Sequence, residues 1–150
     1  MPGLLVIAHA PLATALRAVA QHVYPDCAVS LAAFDVPADM PIEQVEAQAA
    51  ALLSTLGTPE ALILTDVFGA TPCNVAQRLA DGVRVKVVTG VNVPMLWRSL
   101  CYAAEPLDSL VARALAGAVQ GAMQVSPTRP QNQARNLSDP DAKDQRHDQQ

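Results

Sequence analysis

The first 125 residues alternate short aliphatic runs with longer stretches in which apolar residues recur every three or four positions. The short runs predict buried strands, because a parallel strand covered by helices on both faces reads as continuous apolar sequence. Four strands are predicted in this way, near residues 4–8, 29–34, 61–65 and 84–89. The last of them is rich in valine, which favours strands.

The longer stretches predict helices over residues 11–23, 41–56, 72–79 and 107–118, with another that follows Pro94. Gly57 is well placed to end the second helix. Residues 123–125 predict either a short strand or a frayed helix end. Strands that alternate with helices indicate a doubly wound α/β fold. We expect a mostly parallel four-stranded sheet of order 2-1-3-4, with helices on both faces.

Composition divides the chain into a folded part and a tail. The whole chain is 51% hydrophobic but only 3% aromatic, so the core must be built from Ala, Val, Leu and Ile. From Ser126 onward Gln, Asn, Asp, Arg and Pro dominate, and such a segment buries too little apolar area to offset its chain entropy. We therefore predict one domain over residues 1–125 and a disordered polar tail over residues 126–150.

Charge and cysteine usage limit the class of protein. The net charge of -4 and the pI near 5.2 argue against a nucleic-acid surface, which is usually basic. No apolar stretch is long enough to cross a bilayer, and the N-terminus lacks the cationic start of a signal peptide. Cys27, Cys73 and Cys101 are odd in number and lack close pairing. These features predict a cytoplasmic protein with reduced thiols and no membrane insertion.

Two of the predicted strands end at residues with useful chemistry. The first strand ends at His9 and the third at Asp66. In a sheet of order 2-1-3-4 these strands are neighbours at the point where strand order reverses, which is where α/β proteins bind ligands. A carboxylate that binds one ring nitrogen of a histidine fixes its tautomer and leaves the other nitrogen nucleophilic. The pair therefore predicts histidine chemistry, with phosphoryl transfer as the favoured reaction.

The loops after both strands lead into helices, whose first amides lack intrahelical partners and attract anions. Gly69 lets the backbone come close to a ligand. Thr71 precedes Pro72, so its hydroxyl either caps the helix, which is the favoured interpretation, or donates to a phosphate. Asn92 either lines the same crevice or stabilises a turn. We assign a phosphate-binding role to six residues: Ala10, Leu12, Gly69, Ala70, Thr71 and Asn74.

Simpler interpretations of the same residues exist. A histidine at a strand end is often structural, and an aspartate at the start of a loop often binds local amides. The sequence argues against three other kinds of site: a phospho-aspartate receiver, a nucleotide site and a zinc site. The first strand ends without the acidic cluster of a phospho-aspartate receiver, a nucleotide-binding Walker motif is absent, and too few ligands converge for zinc. We predict no metal and no cofactor.

Three segments together resemble the mannose/fructose-type IIA component of the bacterial phosphoenolpyruvate:sugar phosphotransferase system: residues 8–12, 65–74 and 90–96. The resemblance covers most of residues 1–125. It implies that His9 accepts a phosphoryl group from the histidine-carrier protein HPr and passes it to a IIB component, with Asp66 as the orienting carboxylate. It also implies a homodimer that exchanges a C-terminal antiparallel edge strand, for which residues 123–125 are the candidate. Ala10 and Ala70 depart from the family pattern, which has glycine at both positions.

The sequence is compatible with more than one recipient of the phosphoryl group. One hypothesis is transfer to a separate IIB protein and then to sugar, and another is regulation of a partner by the phosphorylation state of His9. Further alternatives are the phosphoryl donor subunit of a dihydroxyacetone kinase and a non-catalytic anion-binding regulatory module. Partner proteins are expected to dock on apolar residues that flank the crevice, with Pro11, Leu12, Phe68 and Met95 as candidates.

Overall fold

A computed structural model describes residues 1–28 and 30–128 of the chain. Its centre is one sheet of four parallel strands in the order β2-β1-β3-β4, as the sequence predicts. The strands are β1 (Gly3–His9), β2 (Leu31–Val36), β3 (Ala61–Thr65) and β4 (Val85–Thr89). β2 begins two residues later than expected and continues past Phe34 to Val36. This shift places Asp35 inside the strand.

Helices connect the strands and cover both faces of the sheet. In the described part of the chain they are α1 (Leu12–Val23), α2 (Pro25–Ala28), α3 (Ile42–Thr55), α4 (Thr71–Leu79), α5 (Val93–Cys101) and α6 (Leu107–Gly121). Five of them lie where the periodicity predicts a helix. The sequence does not predict α2, because a helix of four residues is too short to show an apolar repeat.

The core lies in two layers because successive side chains of a strand point to opposite faces of the sheet. Leu4, Val6 and Ala8 of β1 pack in one layer with α1, α5 and α6. Leu5 and Ile7 pack in the other layer with α3 and α4. The central strands β1 and β3 are buried almost throughout. Their carboxyl ends are therefore anchored by a close-packed core.

The buried face of α1 differs from the one that the largest apolar residues suggest. Ala13, Leu16 and Ala20 face the sheet, whereas Val19 and Val23 are exposed. Alanines allow the helix to pack closely on β1 and β2. Val19 and Val23 therefore lie at the protein surface and not in the core.

Residues 122–128 follow α6 without forming a helix or a strand, and Met123 and Val125 are exposed. Most of the predicted polar tail, residues 129–150, lies outside the described residues. The three cysteines are free thiols, as expected, with Cys73 buried and Cys27 and Cys101 exposed. Within residues 1–28 and 30–128, no helix combines the length and the apolar content that a bilayer span requires.

Candidate active site

His9 and Asp66 lie next to each other at the carboxyl edge of the sheet. His9 is the last residue of β1, and Asp66 follows the last residue of β3. The two strands pair in parallel up to Ile7 and Thr65, so their ends are adjacent. The backbone N–H groups of Gly90 and Val91 donate to the carbonyls of Asp66 and Thr65, at 3.1 and 2.9 Å, which joins the loop after β4 to the end of β3.

Three hydrogen bonds hold the Asp66 carboxylate. Its Oδ2 lies 2.6 Å from Nδ1 of His9 and accepts the backbone N–H of the same residue at 3.0 Å. Its Oδ1 accepts the backbone N–H of Val67 at 2.9 Å. A charged carboxylate can only accept, so Nδ1 carries the hydrogen in this contact. In the neutral ring, Nε2 then bears the free lone pair.

The two side chains differ in their access to solvent. The His9 side chain is 50% exposed, whereas that of Asp66 is 13% exposed. A visiting group therefore reaches the ring and not the carboxylate that holds it. The arrangement gives the protein a fixed, accessible ring nitrogen.

Asp66 remains ionised over a wide range of pH. Partial burial raises the pKa of its carboxyl group, but hydrogen bonds from the backbone and ring of His9 and from Val67 outweigh that effect. The pKa of Asp66 therefore lies below its ordinary value. An ionised Asp66 is the form that can stabilise positive charge on the His9 ring.

The first turn of α1 lies directly after His9. Within the described residues, the backbone N–H groups of Leu12 and Ala13 have no acceptor, whereas that of Thr14 donates to Asp35 Oδ1 at 3.0 Å. The N–H of Ala10 is also engaged, because it donates to the Val36 carbonyl at 3.0 Å. Of the two residues assigned to this side of the pocket, Leu12 presents a free amide and Ala10 does not.

The loop from Gly69 to Asn74 forms the other side of the candidate pocket. Gly69 has φ +86° and begins a segment of free backbone amides that continues through Ala70 and Thr71 in the described structure. The backbone N–H of Asn74 donates to the Ala70 carbonyl at 3.0 Å, so only its exposed side chain is available. The prediction that Thr71 caps α4 is wrong, because α4 begins at this residue and has no side-chain cap.

Two other predictions change with the structure. The side chain of Asn92 caps α5 by accepting the Met95 N–H at 2.9 Å, and it donates to the Ala118 carbonyl at 3.3 Å. Its role is therefore structural. Met95 is only 1% exposed and cannot dock a partner, whereas Phe68 is 72% exposed beside the pocket. Pro11 and Leu12 are also exposed.

Asp35 is not among the site residues that the sequence predicts, although its carboxylate binds the first turn of α1 from the neighbouring strand. An Asp at the end of a predicted strand beside the active strand was the only available signal. No three His, Cys, Asp or Glu side chains converge to form a metal site in the part of the chain that the structure describes.

The fold and the site define a doubly wound α/β protein with an acid-oriented histidine at the carboxyl edge of its sheet. The chain belongs to the EIIA-man family, described as the PTS system fructose IIA component, whose model matches residues 3–115. The protein is thus a IIA-type component of the phosphotransferase system, a class that takes part in phosphoryl transfer for sugar uptake. The resemblance seen in the sequence is confirmed.

Solved structures share this fold over most of the chain. The mannose/sorbose-specific IIA subunit from Enterococcus faecalis is 26% identical, with a TM-score of 0.77 over 86% of this chain and 98% of that one. An EIIA component from Streptococcus agalactiae is 21% identical, with a TM-score of 0.73 over 83% and 97% of the two chains. A IIA protein associated with the fucose utilization operon of Streptococcus pneumoniae is 22% identical, with a TM-score of 0.66 over 82% and 92%. No curated protein matches the chain.

Proposed function

We propose that His9 is a phosphoryl carrier that accepts its group from HPr and passes it to a IIB component or a regulatory target. The observation that carries this proposal is the 2.6 Å contact between Nδ1 of His9 and Asp66, which leaves Nε2 unbound on a side chain that is half exposed. A fixed tautomer, an exposed lone pair and a carboxylate behind the ring are what a histidine nucleophile requires. The protein is then a protein-histidine phosphotransferase component.

In the proposed reaction, the Nε2 lone pair of His9 attacks the phosphorus in line with its bond to the donor's ring nitrogen. The new N–P bond forms as the old one breaks, and the electron pair of the old bond stays on the donor ring. The proton on Nδ1 stays in place, and Asp66 stabilises the positive charge that develops on the His9 ring. Onward transfer is the same reaction with the recipient's side chain as the nucleophile.

The phosphoryl oxygens are bound by backbone amides at the starts of α1 and α4. Leu12 on one side and Gly69, Ala70 and Thr71 on the other have free N–H groups at helix N-termini, which attract anions. The Thr71 hydroxyl and the Asn74 side-chain amide add further donors. Because the Ala10 amide is engaged, we expect this residue to shape the pocket rather than to donate to the phosphate.

Transfer between two histidines requires protein surfaces that meet around the ring. Exposed apolar side chains flank His9 on both sides, with Val67 and Phe68 after β3 and Leu12 in α1. Such residues exclude water when a partner docks, which favours association and protects the transferring group from hydrolysis. We propose that the surface formed by Leu12, Val67 and Phe68 is the common docking surface for donor and recipient.

A second copy of the chain is the proposed partner at the outer edge of β4. β4 pairs only with β3 in the described structure, so its outer edge is open to another strand. The exposed apolar residues nearest the C-terminal end of the described chain are Leu115, Val119, Met123 and Val125. A homodimer that exchanges residues 123–125 would cover both features. We place this dimer in the cytoplasm, where the phosphoryl donors of the system are expected.

Labelled phosphoenolpyruvate with Enzyme I and HPr tests the proposed reaction directly. We expect one acid-labile phosphate per chain, located on His9 by mass spectrometry. His9→Ala should abolish the label. The matched control His22→Ala, which changes an exposed histidine late in α1, should retain it. No label on the natural chain, or equal label on His9→Ala, contradicts the proposal.

The labelled protein then identifies the recipient. Chase of the label into a IIB protein supports transport, whereas transfer into dihydroxyacetone kinase supports the kinase-subunit alternative. A partner that binds only one phosphorylation state, with no loss of label, supports regulation. The anion-binding alternative predicts that His9→Gln binds inorganic phosphate as the natural chain does and that neither protein is labelled.

A further inference from the structure

We propose that Asp35 sets the free energy of phosphorylated His9. It does so by placing a negative charge at the N-terminus of α1, beside the site of the phosphoryl group. The inference rests on the proposed phosphorylation of His9. In this proposal Asp35 is a positioning residue that acts through the N-terminus of α1 and does not contact the phosphoryl group.

Asp35 is fixed beside the histidine by the register of the sheet. It pairs with Ala8 across β1 and β2, and the next pair is His9 with Val36. The Val36 carbonyl then accepts the N–H of Ala10 at 3.0 Å. The end of β2 is thus bonded to the segment that carries His9 into α1.

The Asp35 carboxylate replaces the missing cap of α1. Pro11 at the N-cap position has no polar side chain, and no side-chain cap is formed there. Asp35 instead accepts the Thr14 N–H at 3.0 Å through Oδ1 and the Thr14 hydroxyl at 2.5 Å through Oδ2. This contact uses one amide of the first turn and leaves those of Leu12 and Ala13 free in the described structure.

A carboxylate and a phosphoryl group then share the N-terminus of one helix. The positive end of a helix stabilises negative charge only within its first turn. Because both anions lie there, each reduces the stabilisation that the helix gives to the other. Among the described residues no Lys or Arg forms an ion pair with Asp35. We infer that Asp35 raises the free energy of phosphorylated His9 relative to the free ring. The group is then released more readily to a recipient.

Asp35→Asn isolates the charge because the amide has the shape of the carboxylate. Its oxygen can keep the Thr14 N–H, and the Thr14 hydroxyl already lies 3.3 Å from the Pro11 carbonyl, to which it can donate instead. We expect the equilibrium constant for phosphoryl transfer from phospho-HPr to shift toward phosphorylated His9 by roughly two- to fivefold. Spontaneous loss of the label should slow in the same direction.

The equilibrium is measured with purified phospho-HPr and approached from both sides, so that a slower rate is not mistaken for a shift. Asp39→Asn is the charge-matched control, because Asp39 is exposed after β2 and makes no hydrogen bond in the described structure. Thr14→Val removes the hydroxyl and keeps the Asp35 charge, and should leave the equilibrium unchanged. A residue that only capped α1 would change stability and rates without moving this equilibrium.

The outcomes separate this inference from the function on which it rests. A natural chain that takes no label from phospho-HPr overturns both. A labelled natural chain with an unchanged or lowered equilibrium constant in Asp35→Asn overturns only the role of Asp35. An equal rise in Asp39→Asn also overturns it, because net charge would then explain the shift. A rise confined to Asp35→Asn supports the inference.

Discussion

One oxygen of Asp66 holds His9 at two points, the backbone N–H at 3.0 Å and the ring Nδ1 at 2.6 Å. Because both contacts go to the same atom, the orientation of the ring is tied to the end of β1. The Val67 N–H binds the second oxygen at 2.9 Å and prevents the carboxylate from turning. The nucleophilic nitrogen is thus positioned before any partner arrives.

Asp66→Asn tests this arrangement. Asparagine can present its NH₂ group to Nδ1, which would move the ring hydrogen to Nε2 and remove the lone pair from the attacking atom. A neutral amide also fails to stabilise a charged ring. We expect the rate of transfer from phospho-HPr to fall by at least about 100-fold, as measured by rapid quench with labelled donor.

A matched control is available in the turn before β4. Asp81 accepts three backbone N–H groups, from Val83, Arg84 and Val85, at 2.9, 2.7 and 2.9 Å. Asp81→Asn should lower the free energy of unfolding and leave the transfer rate unchanged. If Asp66→Asn transfers as fast as this control, Asp66 does not orient the ring.

The pH dependence of stability gives a second test of Asp66. Its pKa in the folded protein lies below the ordinary value, so it stabilises the fold fully above the unfolded-state pKa and loses that contribution as pH falls through the folded-state pKa. The difference in unfolding free energy between the natural chain and Asp66→Asn should therefore shrink as the pH falls below about 4. Urea unfolding at a series of pH values measures it. A difference that grows as the pH falls below about 4 would contradict the lowered pKa of Asp66.

The sequence predicts the sheet order and the meeting of His9 with Asp66 because both follow from general rules for parallel sheets. It does not predict which face of α1 is buried, since Ala13 and Ala20 carry too little hydrophobic signal to outweigh Val19 and Val23. The choice depends on how closely the helix packs on the sheet, which is a tertiary effect. Elements supported by large aliphatic residues on one stripe, such as α3, are predicted well.

The polar details of the site are harder to predict than the pair itself. The contact between Asp35 and Thr14 joins residues from different elements, and its geometry depends on a strand boundary that the sequence places two residues too early. For Asn92 the loop is predicted correctly and the contact is not. The sequence offers the crevice as one place for this side chain, but the side chain accepts the Met95 N–H in the first turn of α5.

Thr71 offers a test that separates helix capping from phosphate binding. Its hydroxyl does not cap α4, so Thr71→Val should change the free energy of unfolding by less than about 0.5 kcal/mol, whereas loss of a cap costs about 1 kcal/mol. If the hydroxyl binds the phosphoryl group, the same variant should slow transfer from phospho-HPr, and Thr71→Ser should restore it. Thermal or urea unfolding and a labelled transfer assay give the two values. A large loss of stability with normal transfer would contradict this assignment.

Gly69 and Gly57 form a matched pair that separates backbone strain from function. Both have positive φ, at +86° and +66°, and an added Cβ would meet no atom within 4 Å at either position. Alanine should therefore destabilise the fold by a similar amount at each, about 1 kcal/mol, because L-residues are strained in this region. Only Gly69 lies in the proposed phosphate loop, so Gly69→Ala should also slow phosphorylation of His9, while Gly57→Ala should not. Urea unfolding and initial rates of labelling measure both effects. Equal rates in the two variants would mean that the phosphoryl group does not come close to the backbone at Gly69.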